Sequence, residues 1–360
     1  MRKYHWKDGI DGLILKQYCF VTGSLSYIKQ DRILAETENS AAPSLDEIRA
    51  LRESLADAID RTPLIRCVGL EDEIGGDTEV LGKLEFLQRT GTFKARGALG
   101  VLSKLDADQI SRGITAVSAG NHAIAAAYAA RQVGASAKIV MIGSANPSRI
   151  EACKAMGGEV VMVDDVHEAF ATAEAIQRDE GRFFVHPYEG PEVATGTGTL
   201  GLEMHEQCPD FDALVVTIGG GGLIGGIANA LKQVRPDCHI VGVEPQGADS
   251  MHRSFAAGEA TGIPAVQTIA DSLGAPFALP YSFALCQKNV DQLCTVSDTE
   301  IREAMGLLFH RMKVAVEPAC AASTAALLGP LREQLRGQRV LLLFCGSNID
   351  WQTFAEQAVL

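Results

Sequence analysis

The stretch Thr90-Gly91-Thr92-Phe93-Lys94-Ala95-Arg96 places a lysine between the strand-like Val80–Glu85 and the helix-like run from Ala98 to Leu105. An amine at an apolar strand-to-helix junction is costly to keep charged, so it is driven towards the neutral, nucleophilic form. That form is what a Schiff-base lysine needs. Taken alone, Lys94 reads more simply as a helix-start lysine whose stem packs while its ammonium reaches water. Its neighbours in the sequence change that reading.

Two further segments stand where a strand runs into a helix. Ala116-Val117-Ser118-Ala119-Gly120-Asn121-His122 precedes the alanine-rich Ala123–Val133, and Thr217-Ile218 leads through Gly219-Gly220-Gly221-Gly222-Leu223 into a helix towards Leu231. Backbone N–H groups at helix starts are unpaired and carry the positive end of the helix dipole, so they attract anions. A phosphate suits the glycine run and a carboxylate suits the Ser118–Asn121 turn. A glycine helix start without any ligand is the simpler alternative for Gly120. Two anion sites and one activated lysine together describe pyridoxal phosphate with an amino acid attached.

A second chemistry competes for the glycines. Gly220-Gly221-Gly222-Leu223-Ile224-Gly225 satisfies G-x-G-x-x-G after a strand, and Glu244 follows about twenty residues later at the next strand end. That pattern would make the chain an NAD-dependent oxidoreductase with Glu244 on the ribose. It would leave Lys94 and Asn121 without a role.

Arg61-Thr62-Pro63-Leu64, Lys83–Ala98, Ser118–His122, the tetraglycine run, Val243-Glu244-Pro245, Val316-Glu317-Pro318 and Cys345-Gly346-Ser347-Asn348 follow one another in an order that resembles the serine/threonine dehydratase and serine racemase family. The resemblance runs from about Leu45 to the C-terminus and implies the type II fold of pyridoxal-phosphate enzymes. It implies a small mobile lobe over residues 111–191, inserted into a large cofactor-binding lobe formed by 41–110 and 192–360. It also implies a homo-oligomer, dimer or tetramer, acting on a small amino acid. By the same resemblance, Lys94 holds the cofactor as a Schiff base and then takes the Cα proton. Phe93 packs beside the ring, Asn121 bonds its hydroxyl, and Gly219, Gly220, Gly221, Gly222 and Leu223 hold its phosphate. Cys345 faces the pyridine nitrogen, and Ser118, Ala119, Gly120, Asn121 and His122 receive the substrate carboxylate. Cys345 is otherwise a buried strand-end thiol, and Glu317 either lies near the ring or stabilises its own loop.

Two departures from the family pattern sharpen the expected reaction. Serine racemases carry a serine immediately before the glycine of the carboxylate loop, and this chain has Ala119. A methyl group cannot return a proton to Cα, so β-elimination of a β-hydroxy amino acid such as L-threonine or L-serine, giving a 2-oxo acid and ammonia, is favoured over racemisation. A neutral thiol at Cys345 leaves the pyridine nitrogen unprotonated, which suits loss of a β leaving group. The family's divalent-cation site would fall on Glu244, Ala248 and Ser250, and Ser250 lacks the charge of the usual aspartate. No metal is predicted. The chain ends soon after Asn348, so no regulatory domain and no isoleucine feedback are expected. The loops around Pro187-Tyr188-Glu189 and Ser272–Tyr281 leave serine, threonine, 3-hydroxyaspartate and phenylserine all open as substrates.

The elements that must position these groups are legible as an α/β alternation from Val80 onward, the signature of parallel sheets flanked by helices. Apolar, β-branched runs at Lys138–Ile142, Glu159–Val163, Ala213–Ile218, His239–Val243 and Val340–Phe344 suit strands buried on both faces. Helices are expected over Leu45–Ile59, Pro147–Met156 and Asp298–Met312. At 360 residues the chain exceeds the size at which one core stops growing, so two lobes with a cleft are expected. A formal charge of −13 without basic runs argues against nucleic acid. Nine scattered cysteines without a C-x-x-C pair, and eight histidines without ligand spacing, argue for reduced thiols and against zinc. Leu13-Ile14-Leu15 is too short for a signal peptide and no apolar run spans a membrane, so a cytoplasmic protein is expected. Met1 to Ser40 lacks periodicity and reads as an extension of unknown role.

Overall fold

The computed structural model describes residues 41–359; the extension expected over Met1–Ser40 lies outside them. Ten strands form two sheets. The larger sheet contains β1 (Leu64–Arg66), β2 (Glu79–Leu84), β7 (Ala213–Thr217), β8 (His239–Pro245), β9 (Gln292–Val296) and β10 (Arg339–Phe344) in the order β1-β2-β10-β7-β8-β9. The smaller contains β3 (Ile114–Val117), β4 (Ala137–Ile142), β5 (Gly158–Val163) and β6 (Phe183–Phe184) in the order β5-β4-β3-β6. Every pairing is parallel except β1 with β2. All five residues of β7 are buried, as expected for a central strand covered on both faces.

The strands run about where their apolar runs lie, and the differences concern ends and edges. Edge strands β1 and β9 and the two-residue β6 carry too little periodicity to be expected from sequence. The lysine-bearing helix begins at Lys94 rather than Ala98 and stops at Leu102. Phe93 already has helical backbone angles, and Thr92 Oγ1 accepts the Lys94 N–H at 3.3 Å. The first helix ends at Ser54 instead of Ile59, its final residues loosening into turns.

Each sheet has its own apolar core. Leu214, Val216, Ile240, Val241, Leu341 and Leu343 anchor the larger one. On the smaller sheet, the alanine face of helix Asn121–Val133 packs with Ala95, Ala98 and Leu99 of helix Lys94–Leu102. The lysine helix therefore packs into the core of the smaller sheet while its N-terminus hangs from the larger one, where Phe93 N–H donates to Cys345 O at 3.1 Å.

Four charges are buried beneath that junction. Arg96 forms a fork on Glu85 (2.8 and 2.9 Å) and reaches Glu203 at 2.9 Å, while Lys83 pairs with Glu203 and donates to Thr62 O at 2.7 Å. Two cations and two carboxylates match in number, which offsets the cost of taking them out of water. The cluster fixes β2, helix Lys94–Leu102 and helix Pro191–Gln207 to one another. Arg96 stands inside the lysine motif and Lys83 and Glu85 just before it, while Glu203 comes from a helix more than a hundred residues away.

Candidate active site

The carboxyl ends of β3, β7 and β10 converge on one cleft of about 660 Å³. This is where ligands sit in open parallel sheets. Lys94, Phe93, the Ser118–His122 turn, the Gly219–Leu223 run and Cys345 all line it. Residues separated by more than two hundred positions in the chain thus meet in one cleft.

Lys94 is the first residue of its helix, and its amine donates to Pro187 O at 2.7 Å. Burial pushes its pKa down to about 8, with Cys345 and Glu317 pulling weakly the other way. The amine lies 5.3 Å from the centroid of the Phe93 ring. No carboxylate forms an ion pair with it among the described residues, so the free base is accessible near neutral pH.

The glycine run is shaped by what crosses it. Gly221 has a φ of +92°, a conformation that side chains rarely adopt, and it opens helix Gly222–Val234 without a side-chain cap. A methyl group on Gly220 would come within 2.4 Å of the Tyr188 ring, and one on Gly222 would press on the Tyr188 carbonyl. Bare backbone N–H groups at a helix start facing a cavity suit a phosphate.

At the other turn, Gly120 begins helix Asn121–Val133, and its N–H meets Ser118 Oγ at 3.2 Å. His122 is buried and its Nε2 bonds Val185 O at 2.9 Å; burial, with Lys94 nearby, pushes its pKa down to about 3. Its ring is therefore neutral and engaged, leaving its backbone for an anion. Asn121 Oδ1 accepts from Asn348 at 2.8 Å, and its Nδ2 donates to the Glu317 carboxylate at 2.7 and 3.0 Å. Glu317 is almost fully buried, and desolvation raises its pKa to about 7 against the pull of Arg149 and Asn121.

Cys345 is buried beside Thr217, whose hydroxyl lies 3.7 Å from the sulfur. A contact with Cys320, together with burial, raises its pKa well above that of a free thiol. A neutral sulfur at this wall is the environment expected for an unprotonated ring nitrogen. The eight cysteines among the described residues are all unpaired.

These features fit pyridoxal phosphate: an amine of lowered pKa, an uncapped glycine helix start and a neutral thiol border one cavity of sufficient size. The dinucleotide alternative loses its acid. Glu244 caps helix Ser250–Ala257, accepting from the Met251 and His252 N–H groups at 2.9 and 2.7 Å, and burial raises its pKa to about 8. Ser250, where the family's cation site would fall, is buried and donates to Ala275 O at 3.1 Å.

Residues 55–346 match the family of pyridoxal-phosphate dependent enzymes, and the chain belongs to that family. Within it, the chain is 48% identical over 322 residues to a phenylserine dehydratase of Ralstonia pickettii, covering 89% of this chain and 98% of that protein. It is 36% identical to an L-threonine ammonia-lyase of Thermotoga maritima, covering 85% of this chain and 76% of that one. Among solved structures, a maize serine racemase superposes with a TM-score of 0.83 at 34% identity, covering 88% of this chain and 97% of that chain. The type II fold expected from the motifs is thus the fold of this protein, and its cofactor is pyridoxal phosphate.

Contacts made by three cleft residues left no trace in the sequence. Arg149, on helix Pro147–Ala155, pairs with Asp271, donates through Nε to Asn348 O at 3.1 Å and stands 3.6 Å from Glu317. Asn348 also donates to Thr90 O at 2.9 Å, tying the lysine motif to the Cys345 loop. Ser272 lies 3.2 Å from Asn121 Nδ2. Glu317, which the sequence left between two roles, takes the one at the site.

Proposed function

We propose that this chain catalyses β-elimination of a β-hydroxy amino acid such as L-threonine or L-serine, releasing a 2-oxo acid and ammonia. Pyridoxal phosphate bound at Lys94 supplies the electron sink that makes the substrate's Cα–H bond acidic. The Ser118–His122 turn offers backbone N–H groups to the substrate carboxylate, and the Gly219–Leu223 run holds the cofactor phosphate. Lys94 Nζ takes the Cα proton; the Cβ–O bond then breaks and the hydroxyl leaves as water after gaining a proton. The released enamine hydrolyses to the 2-oxo acid and ammonia. Asn121, oriented by Glu317 and Asn348, and Phe93 would hold the cofactor ring. Cys345, a neutral thiol, would leave the ring nitrogen unprotonated.

The observation that carries this reading is the isolated Lys94 amine, accessible as a free base beside a turn whose Ala119 offers only a methyl group. One base removes the proton and no hydroxyl at Ala119 returns it, which favours elimination over racemisation. Residues 111–191 form the lobe that closes over substrate and excludes water. The protein acts in the cytoplasm, in keeping with the unpaired cysteines among the described residues, and as a homo-oligomer, a dimer or tetramer.

Purified protein should absorb in the Schiff-base band, lose that band on borohydride reduction and retain the label on Lys94. It should release ammonia and a 2-oxo acid from at least one β-hydroxy amino acid. An unlabelled Lys94, or D-serine formation from L-serine without ammonia, would overturn the proposal.

A further inference from the structure

A second cavity lies against Lys94, with a volume of about 10 Å³, close to the least that admits one water molecule. Gly97 and Ala98 of the lysine's own helix, Val193 and Thr197 of helix Pro191–Gln207, and His186 line it without lining the cleft. It is therefore a chamber beside the cofactor cleft and not a share of that cleft's volume. Lys94 and His122 border both spaces.

The two histidines bring complementary atoms to this chamber. His186 Nδ1 accepts the Tyr188 N–H at 3.3 Å and the Glu189 N–H at 3.0 Å, so the ring's proton sits on Nε2. His122 Nε2 donates to Val185 O at 2.9 Å, so its Nδ1 is a bare acceptor. Both rings are neutral, since burial, with Lys94 nearby, pushes each pKa down to about 3. His186 Nε2–H and His122 Nδ1 have no protein partner among the described residues. The remaining wall is apolar at Gly97, Ala98 and Val193, and the Thr197 hydroxyl is already bonded to Gly222 O at 2.8 Å. One donor, one acceptor and the Lys94 amine are the two to four polar partners that a buried water needs.

We propose that the chamber binds a single water joining His186 Nε2–H, His122 Nδ1 and Lys94 Nζ, and that the two histidines are positioning residues which aim the Lys94 lone pair at the substrate's Cα. A neutral primary amine has two hydrogens and one lone pair. Pro187 O takes one hydrogen at 2.7 Å, and the chamber water takes the other, which leaves the lone pair facing the cleft. Without the water the amine turns about its Cε–Nζ bond, and the lone pair meets the Cα–H bond for a smaller share of the time. His186 also holds the turn that presents Pro187 O, so both acceptors of the amine depend on it. A carboxylate could orient the amine as well, but it would keep a proton on it; a water between neutral rings gives direction without a charge. This rests on the β-elimination proposed above and names residues that orient its base.

Three variants test it. H186N keeps an acceptor for the Tyr188 and Glu189 N–H groups and H122Q keeps a donor for Val185 O, so each removes only the nitrogen that faces the chamber. G97A leaves both histidines in place: its methyl group would lie 3.2 Å from Val193 Cγ1 and 3.8 Å from Thr197 Cγ2, two walls of the chamber, and so displaces the water. Alanine also favours a helix over glycine, which keeps the test open if a histidine variant fails to fold. A crystal structure of the wild-type holoenzyme should show one water within about 3 Å of both ring nitrogens, absent from G97A. In each variant that keeps the cofactor absorbance band, kcat should fall about tenfold with KM changed by less than about twofold. The isotope effect on kcat with α-deuterated substrate should grow, because proton removal becomes the slow step. A wild-type chamber without water, an unchanged kcat and isotope effect, or a loss confined to KM would overturn the proposal. If wild type releases ammonia from no β-hydroxy amino acid, the β-elimination reading fails instead, and the crystallographic water still decides whether the chamber is a water site.

Discussion

Two lysines eleven positions apart have opposite fates. Lys83, next to the last residue of β2, is fully buried and meets the Glu203 carboxylate, the Thr62 carbonyl and Gln207 Oε1. Lys94, at the carboxyl side of the same sheet, has a single carbonyl acceptor and an open cleft in front of it. Burial presses both pKa values down, yet only at Lys83 does an adjacent carboxylate hydrogen bond push back. Depth of burial therefore does not make a lysine nucleophilic. The absence of a hydrogen-bonded anion does, and Glu203 is placed so that it serves Lys83 and misses Lys94.

Replacing each lysine should separate reactivity from stability. Lys94→Ala should cut ammonia release by at least about 10³-fold, since it removes the base as well as the cofactor anchor. It should leave the urea midpoint of the cofactor-free protein nearly unchanged, because no ion pair is lost. Steady-state kinetics with a urea titration checks both halves. A large loss of stability in Lys94→Ala would show that the two lysines are alike after all.

Lys83→Met is the mirror image. It strands Glu203 in the interior with only Arg96 to match it, a defect of about 3–5 kcal/mol. Urea unfolding should show that loss, while the fraction that remains folded keeps its cofactor absorbance and turnover. A stable Lys83→Met protein with impaired turnover would break the division.

The contrast was half visible in the amino-acid sequence. Lys94 and the glycine runs could be found because local backbone demands write them: a helix start needs exposed N–H groups, and Gly221 occupies a conformation closed to most residues. Lys83 looked like any strand residue, since its partner lies 120 positions away on another helix. Arg149 was hidden for the same reason, meeting Asp271 and Asn348 at separations of 122 and 199 residues. Long-range charge pairing leaves no periodic trace, whereas caps, turns and buried strands do.

A third measurement sharpens the comparison on the Lys94 side. With a pKa near 8, the cofactor-free amine should react with an aldehyde at a rate that rises tenfold per pH unit up to about pH 8 and then levels. An ordinary lysine keeps rising to about pH 10.4, so at pH 8 the unprotonated fraction of Lys94 should exceed it by about 100-fold. The sign follows from the chemistry: the neutral amine attacks, and raising the pH creates it. Rates of cofactor reincorporation between pH 6 and 10 provide the readout, and a profile still climbing at pH 10 would contradict the depressed pKa.

The smallest effect is the most direct probe of why the two lysines differ. Glu203→Gln keeps the shape around Lys83 and an oxygen acceptor but removes the anion, which should lower stability by about 1–3 kcal/mol at neutral pH. Lys83 would then resemble Lys94: a buried amine facing carbonyl oxygens, with its folded-state pKa pressed further below the unfolded value. The unfolded chain would bind more protons than the native one between those two pKa values, so stability should rise with pH across that interval. Wild type should show a weaker rise, because Glu203 holds the proton on Lys83. Urea midpoints at pH 7, 8 and 9 distinguish the two, and equal slopes would mean that Glu203 is not what keeps Lys83 charged.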